Sequence, residues 1–96
     1  ESDIEQSFYT KLSENTYLFD GKTHLNDFLK VLSLDEDYLD EAKGEAETLA
    51  GLMLEIRKDF LRRGEMLAYR RLTLRVDAMD GRRIDKIRVT VADSED

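Results

Sequence analysis

The sequence predicts an α+β domain in which two helices pack on one face of a mostly antiparallel sheet. Three observations predict it. Leu25 to Leu32 and Leu49 to Phe60 carry apolar residues at a helical period. The stretches from Leu72 and from Ile84 onward alternate apolar with polar residues at the period of a half-buried strand. Asp80-Gly81 stands between those two stretches as a hairpin turn. Helical runs followed by a meander of strands give the layered α+β architecture.

Each element follows in order. Phe8 to Leu12 and Thr16 to Phe19 are short apolar runs around Ser13-Glu14-Asn15 and read as a tight hairpin. Asp20-Gly21 ends the second run, and Thr23 offers a hydroxyl to cap the next helix. Leu25, Phe28, Leu29 and Leu32 share one face of that helix, and Asp27 suits its dipole. Leu34 to Glu47 is dense in carboxylates (Asp35, Glu36, Asp37, Asp40, Glu41, Glu45, Glu47) and reads as a surface connection. It has room for one helical turn around Tyr38 and Leu39. The second helix runs from Thr48 to Phe60 on a stripe of Leu49, Leu52, Met53, Ile56 and Phe60. Arg57, Lys58, Arg62 and Arg63 suit its C-terminal end, and Gly64 terminates it.

Met66 to Tyr69 adds a short strand before a turn at Arg70-Arg71. Leu72, Leu74, Val76 and Ala78 mark the core face of the next strand, and Ile87, Val89 and Val91 that of the return strand. Ile84 falls off this parity, which predicts a bulge or twist between Ile84 and Ile87. Residues 1–7 and 92–96 are expected to fray.

Composition bounds what the domain does. A chain of 96 residues is one domain by the usual prior, and it buries roughly two-thirds of its unfolded surface. No Cys is present, which removes disulfides, thiol catalysis and thiolate metal sites together. No apolar run approaches the about 20 residues of a bilayer span, and no basic-then-apolar leader opens the sequence. The first residue is Glu1, as in a domain cut from a longer chain or after N-terminal processing.

The net charge of −7 is uneven. Glu1 to Ile56 holds 4 basic and 14 acidic residues, and Arg57 onward holds 11 basic and 8 acidic. An acidic whole argues against nucleic acid as a partner, since neutralising phosphates needs a dense basic face. The pairs Arg62-Arg63, Arg70-Arg71 and Arg82-Arg83 are candidates to line one edge, although opposite charges within one domain commonly pair with each other.

Little chemistry is available. His24 is the sole histidine and reads as a polar residue of a first helical turn. No nucleophile-and-base arrangement is visible, so catalytic residues are expected to be none. Gly21, Gly44, Gly51, Gly64 and Gly81 are scattered, which excludes a P-loop and a GxGxxG loop. The acidic connection fails the EF-hand pattern, because Leu39 and Asp40 occupy the fifth and sixth positions counted from Asp35. A solvated charge run is expected there, with no metal site. Gly51 costs about 1 kcal/mol inside a helix, so close packing against a strand or the other helix is expected, or a ligand approaching the backbone.

An ordered set of motifs resembles the CorC/HlyC transporter-associated domain, a C-terminal domain of a bacterial membrane protein family. The set is Phe19-Asp20-Gly21, the helix Leu25 to Leu32, Thr48-Leu49-Ala50-Gly51-Leu52 and Asp80-Gly81-Arg82-Arg83-Ile84. It covers nearly the whole chain after Phe8. The resemblance implies a fold similar to one half of a flavin-oxidase FAD-binding domain. It implies no catalytic residue, no cofactor beyond FAD by fold resemblance, and no nucleic acid. It also implies a parent chain with CBS and transmembrane domains, on the cytoplasmic side of a bacterial inner membrane, which the domain reaches through that parent. Magnesium/cobalt efflux, hemolysin-like and gliding-motility members are the reference points, and the acidic connection is closest in look to the last. The sequence departs from the family pattern between Phe60 and Tyr69, where a longer helix toward Gly64 is expected.

The expected function is therefore a non-catalytic regulatory or assembly domain of a membrane ion transporter. Arg70, Arg71, Arg82 and Arg83 are its candidate contacts with the parent protein or a symmetry mate in a homodimer. A small-molecule module for FAD or an adenine nucleotide is the alternative, resting on Gly51, the strand-rich sheet and the basic C-terminal half.

Overall fold

The computed structural model describes residues 9–92. Phe8, residues 1–7 and residues 93–96, for which fraying or strand structure is predicted, lie outside the described residues. β1 (Tyr9–Ser13) and β2 (Thr16–Asp20) form the predicted hairpin, with Tyr9 opposite Phe19. Three helices follow, α1 (Leu25–Leu32), α2 (Asp40–Lys43) and α3 (Leu49–Arg57). Then come β3 (Met66–Tyr69), β4 (Leu72–Asp80) and β5 (Arg83–Val91). All five strands join one antiparallel sheet in the order β1-β2-β5-β4-β3. The α+β class is as predicted, and α2 is the single turn expected in the acidic connection.

Strand alternation decides which face the helices cover. Tyr17, Val89, Leu74 and Leu67 form one cross-strand row, and Phe19, Ile87 and Val76 the next. Phe28 and Leu29 from α1 and Leu49, Leu52 and Met53 from α3 join them in the core. Phe28 meets Phe19 edge-on, with centroids 4.9 Å apart. Burying such side chains stabilises by about 1.5–3 kcal/mol each, which outweighs the weak intrinsic helicity of an eight-residue α1. The other face of the sheet carries Thr16, Thr90, Thr73, Arg88 and Arg75.

The predicted break between Ile84 and Ile87 is present and has a mate. Val76 pairs with Ile87, Ala78 with Lys86, and Met79 with Ile84. β4 therefore carries an extra residue at Asp77 and β5 an extra residue at Asp85. The two insertions cancel, and both Ile84 and Ile87 turn inward. The Asp85 carbonyl accepts the Gly21 N–H at 2.8 Å. A Cβ at Gly21 would stand 2.1 Å from the Ile84 carbonyl oxygen, so a side chain there would force the backbones apart. Backbone bonds then stitch the helix starts to this point. Ala50 N–H donates to Gly21, Leu49 N–H to Thr23 and Leu25 N–H to Glu47. Beside the bulge, Lys86 is ion-paired and hydrogen-bonded to Asp20 across the strands. That hydrogen bond is the main cause holding the Lys86 pKa above the ordinary lysine value. Burial partly offsets it, and the negative charges of Asp20 and Asp85 add to it.

Several local expectations are corrected. His24, at φ −70° and ψ 144°, is the N-cap of α1 and makes no side-chain cap bond. Thr23 is instead buried and gives its carbonyl to Leu49. Thr48 does cap α3, accepting the Gly51 N–H at 3.2 Å. A Cβ at Gly51 would meet the Ala46 Cβ at 3.2 Å, so Gly51 makes room for the end of the acidic connection rather than for a strand. α3 stops at Arg57, and the longer helix toward Gly64 does not form. Lys58 turns left-handed at φ 64°, and its N–H returns to the Leu54 carbonyl. The break puts Leu61 into the core and leaves Phe60 75% exposed. The acidic connection is not all surface, because Tyr38 and Leu39 are buried and its helical turn comes two residues later. Ala92 is not frayed: its N–H donates to the Arg71 carbonyl at 2.8 Å.

Candidate functional site

The three arginine pairs do not line one edge. Arg70-Arg71 and Arg82-Arg83 flank opposite ends of the nine-residue β4, about 30 Å apart at the rise of a strand. Their surroundings differ completely.

At the first end the arginines are engaged within the fold. Arg70, left-handed at φ 56°, holds its guanidinium 4.2 Å from the centroid of the Tyr38 ring. Its Nη1 also donates to the Tyr38 carbonyl at 3.3 Å. The Tyr38 hydroxyl accepts the Arg71 N–H at 3.1 Å, and the Arg71 side chain donates twice to the Ala92 carbonyl. Tyr69 meets Tyr38 edge-on at 6.4 Å. A hollow of about 650 Å³ opens here, lined by Tyr38, Tyr69, Arg70, Asp35, Asp37, Asp40 and Glu41. Among the described residues, no three Asp, Glu or His side chains are placed to hold a metal ion.

At the second end the arginines are exposed and make no ion pair among the described residues. Arg82 and Arg83 extend from the β4–β5 turn, where Gly81 takes φ 67°. The segment 58–65 brings Arg62 and Arg63 to the same place. A hollow of about 560 Å³ lies between these two loops, lined by Phe60, Leu61, Arg62, Arg63, Met79, Gly81 and Arg82. A second of about 250 Å³ shares Phe60, Leu61 and Arg82 with it and reaches Lys22, Leu54 and Arg83. Lys22, Arg62, Arg63, Arg82 and Arg83 are all exposed. None of the five makes an ion pair among the described residues, whereas nearby Arg57 and Lys58 pair with Glu65 and Glu55. Phe60 stands among them on a firmly held segment. Its N–H donates to the Asp59 carboxylate at 2.7 Å, Leu61 is buried beside it, and the Gly64 N–H donates to Val76 at 2.8 Å.

The structure thus separates Arg70 and Arg71 from Arg82 and Arg83, brings the expected pair Arg62 and Arg63 beside the latter, and places Lys22 and Phe60 with them. Reading Phe60 as helix stripe hid it. The adjacent bulky pair Phe60-Leu61 was the available signal, since neighbours on a segment that leaves a helix rarely both reach one core. Lys22 carried no signal. Among the described residues, no helix is long and apolar enough to cross a membrane.

Comparisons with known proteins converge. Residues 10–93 match the profile of the CorC_HlyC family, described as a transporter associated domain. A polyamine export protein of Escherichia coli strain K12 is 32% identical over 82 residues, covering 85% of this chain and 18% of that protein. The chain therefore spans under a fifth of the length of the curated relatives it matches. A transporter associated domain from a CBS domain protein of Porphyromonas gingivalis superposes with a TM-score of 0.83 at 35% identity, covering 88% of this chain and 98% of that one. A hemolysin domain from Enterococcus faecalis V583 shares the fold with a TM-score of 0.77 at 24% identity, covering 91% and 100%.

Proposed function

The chain belongs to the CorC_HlyC transporter-associated domain family, and we propose that it is a non-catalytic regulatory and assembly module of a bacterial membrane protein that exports cations. The name of the E. coli relative supports a polyamine as cargo, and the wider family resemblance supports magnesium or cobalt. The module lies on the cytoplasmic side of the inner membrane, beside the CBS and transmembrane parts of its parent. The observation that carries this reading is the free basic end. Five exposed cations that make no ion pair among the described residues surround an exposed Phe60 on a domain whose net charge is −7. Unpaired guanidinium groups around an apolar centre suit a contact surface, because Arg and aromatic residues carry much of the energy of interfaces.

The test is the double variant Arg82→Ala/Arg83→Ala in the full-length parent protein. We expect the fold to persist and transport or assembly to fall. Normal transport and assembly would remove the proposal. A second reading, a site for FAD or an adenine nucleotide, is favoured by one feature: the Phe60 ring beside Arg62 and Arg82 offers a stacking surface next to phosphate-binding groups. Thermal unfolding with FAD or ATP at about 100 times its dissociation constant would then show a gain of roughly 2.7 kcal/mol. No shift with either would end it.

A further inference from the structure

We infer that the basic end rests directly on the anionic lipid headgroups of the bilayer that holds the parent protein. The inference rests on the assembly reading above and names the partner of the same surface. It also departs from the expectation that the domain meets the membrane through its parent alone.

The chemistry of the surface is that of a headgroup contact. Arg62, Arg63, Arg82 and Arg83 present four planar guanidinium groups, which bind phosphate oxygens in bidentate fashion. They are borne on two loops at one end of the molecule, with Lys22 at the flank. Phe60, 75% exposed between them, has the size to enter the headgroup and upper acyl region. Its exposure is built in. Lys58 turns the chain out of the helix, and Leu61 anchors the next residue in the core. The bound face is shallow, and all of its cations are solvated. That suits an extended layer of phosphates better than a single desolvated anion.

The rest of the charge sets the orientation. Asp35, Asp37, Asp40 and Glu41 lie at the opposite end, beside Tyr38 and Arg70. An anionic surface repels that end and attracts this one. The net charge of −7 does not forbid the approach. Screening at physiological salt acts over about 8 Å, whereas the longest dimension of the domain is 35 Å. The bilayer therefore senses mainly the near end. There, Asp59, Asp80 and Asp85 oppose five cations, and the Asp59 carboxylate already accepts the Phe60 N–H.

The test is sedimentation of the chain with vesicles of equal parts phosphatidylglycerol and phosphatidylcholine, against phosphatidylcholine alone. Each cation near an anionic surface contributes about five-fold to binding, so Arg82→Ala/Arg83→Ala should weaken it about thirty-fold. Arg75→Ala, on the opposite face of the sheet, should leave it unchanged. The chain has no Trp, so Phe60→Trp gives a single reporter, whose emission should move to the blue on the anionic vesicles. Half-molar salt should release the protein. Equal binding to both vesicle types, no binding to either, or equal losses for Arg75→Ala and the double variant would overturn the lipid contact. Inorganic phosphate competing at the affinity of the vesicles would overturn it in favour of a soluble anion. The two readings fail separately. If the double variant cripples the full-length protein while the wild-type chain ignores vesicles, the basic end meets protein, and only the lipid inference falls. If the chain binds anionic vesicles through these arginines while the double variant transports normally, the assembly reading falls and the lipid contact stands.

Discussion

The two ends of β4 carry the same dipeptide, Arg-Arg, and use it in opposite ways. At the Arg70-Arg71 end, one buried aromatic residue supplies every kind of partner. Tyr38 offers a ring face, a carbonyl and a hydroxyl, and Ala92 adds a second carbonyl. At the Arg82-Arg83 end the hollow is lined by Arg62, Arg63 and Phe60, whose side chains accept no guanidinium hydrogen bond, and among the described residues the nearby Asp59 and Asp80 form no ion pair with Arg82 or Arg83. The difference teaches that an arginine pair is structural or available according to what the fold delivers beside it. The acidic connection delivers Tyr38 to one end, and the broken helix delivers more cations to the other.

Substitutions at the engaged end should therefore cost stability, and those at the free end should not. The largest effect is expected for Tyr38→Ala, which removes a buried aromatic ring and the two contacts its ring and hydroxyl make to the arginines. Urea unfolding should show a loss of about 3–5 kcal/mol, and a loss below about 1 kcal/mol would mean the end is not held by Tyr38. Gly21→Ala tests the seam between the ends. Its new Cβ must push away the Ile84 carbonyl, so we expect a loss of about 1–3 kcal/mol, several degrees in Tm; an unchanged Tm would contradict the close approach. Arg70→Ala/Arg71→Ala removes a cation–π contact and three side-chain hydrogen bonds to carbonyls. Both side chains are at least partly solvated, so a loss of about 1–2 kcal/mol is expected.

The Lys86–Asp20 pair should contribute less than about 1 kcal/mol, because the Lys86 side chain is 39% exposed. Its sign is fixed by the raised pKa of a base. The contribution is full below the ordinary lysine range and is lost as pH climbs through the raised value. The stability difference between the wild-type chain and Lys86→Met should therefore shrink at high alkaline pH, and a difference that grew there would refute the assignment. The smallest effect belongs to Arg82→Ala/Arg83→Ala, within about 0.5 kcal/mol. A loss equal to that of the Arg70/Arg71 variant would erase the contrast between the ends.

Legibility followed the range of the interactions involved. Strand faces up to Val76, the Asp80-Gly81 turn and the Ile84–Ile87 bulge were readable because alternation and its failure are local. Ala78, read as core-facing, is turned opposite Lys86 by the extra residue at Asp77, and Met79 packs on the core instead. The end of α3 was not readable. Leu49, Leu52, Ile56 and Phe60 keep a helical period past Arg57, yet the chain turns left-handed at Lys58 and buries Leu61 in place of Phe60. Tyr38 and Leu39 were hidden by the carboxylates around them, although two apolar residues within such a run signalled an anchor. Arg82 and Arg83 were read as one of three basic pairs that could line one edge. That Arg62 and Arg63 join them while Arg70 and Arg71 do not was not legible, because the first pair reaches them through tertiary structure and the second is drawn off by a residue more than thirty positions earlier.

The sheet order has a consequence for synthesis on the ribosome. β2 finds its second neighbour only in β5, and the Asp20–Lys86 pair spans 66 residues of sequence. At about 5–20 residues per second, β2 emerges roughly 3–13 s before its partner. During that interval its outer backbone groups are unpaired, and the Phe19 ring lacks the lining that β5 provides. The nascent hairpin is then a candidate client for a chaperone. The module closes only when the last strand of its sheet slides between β2 and β4.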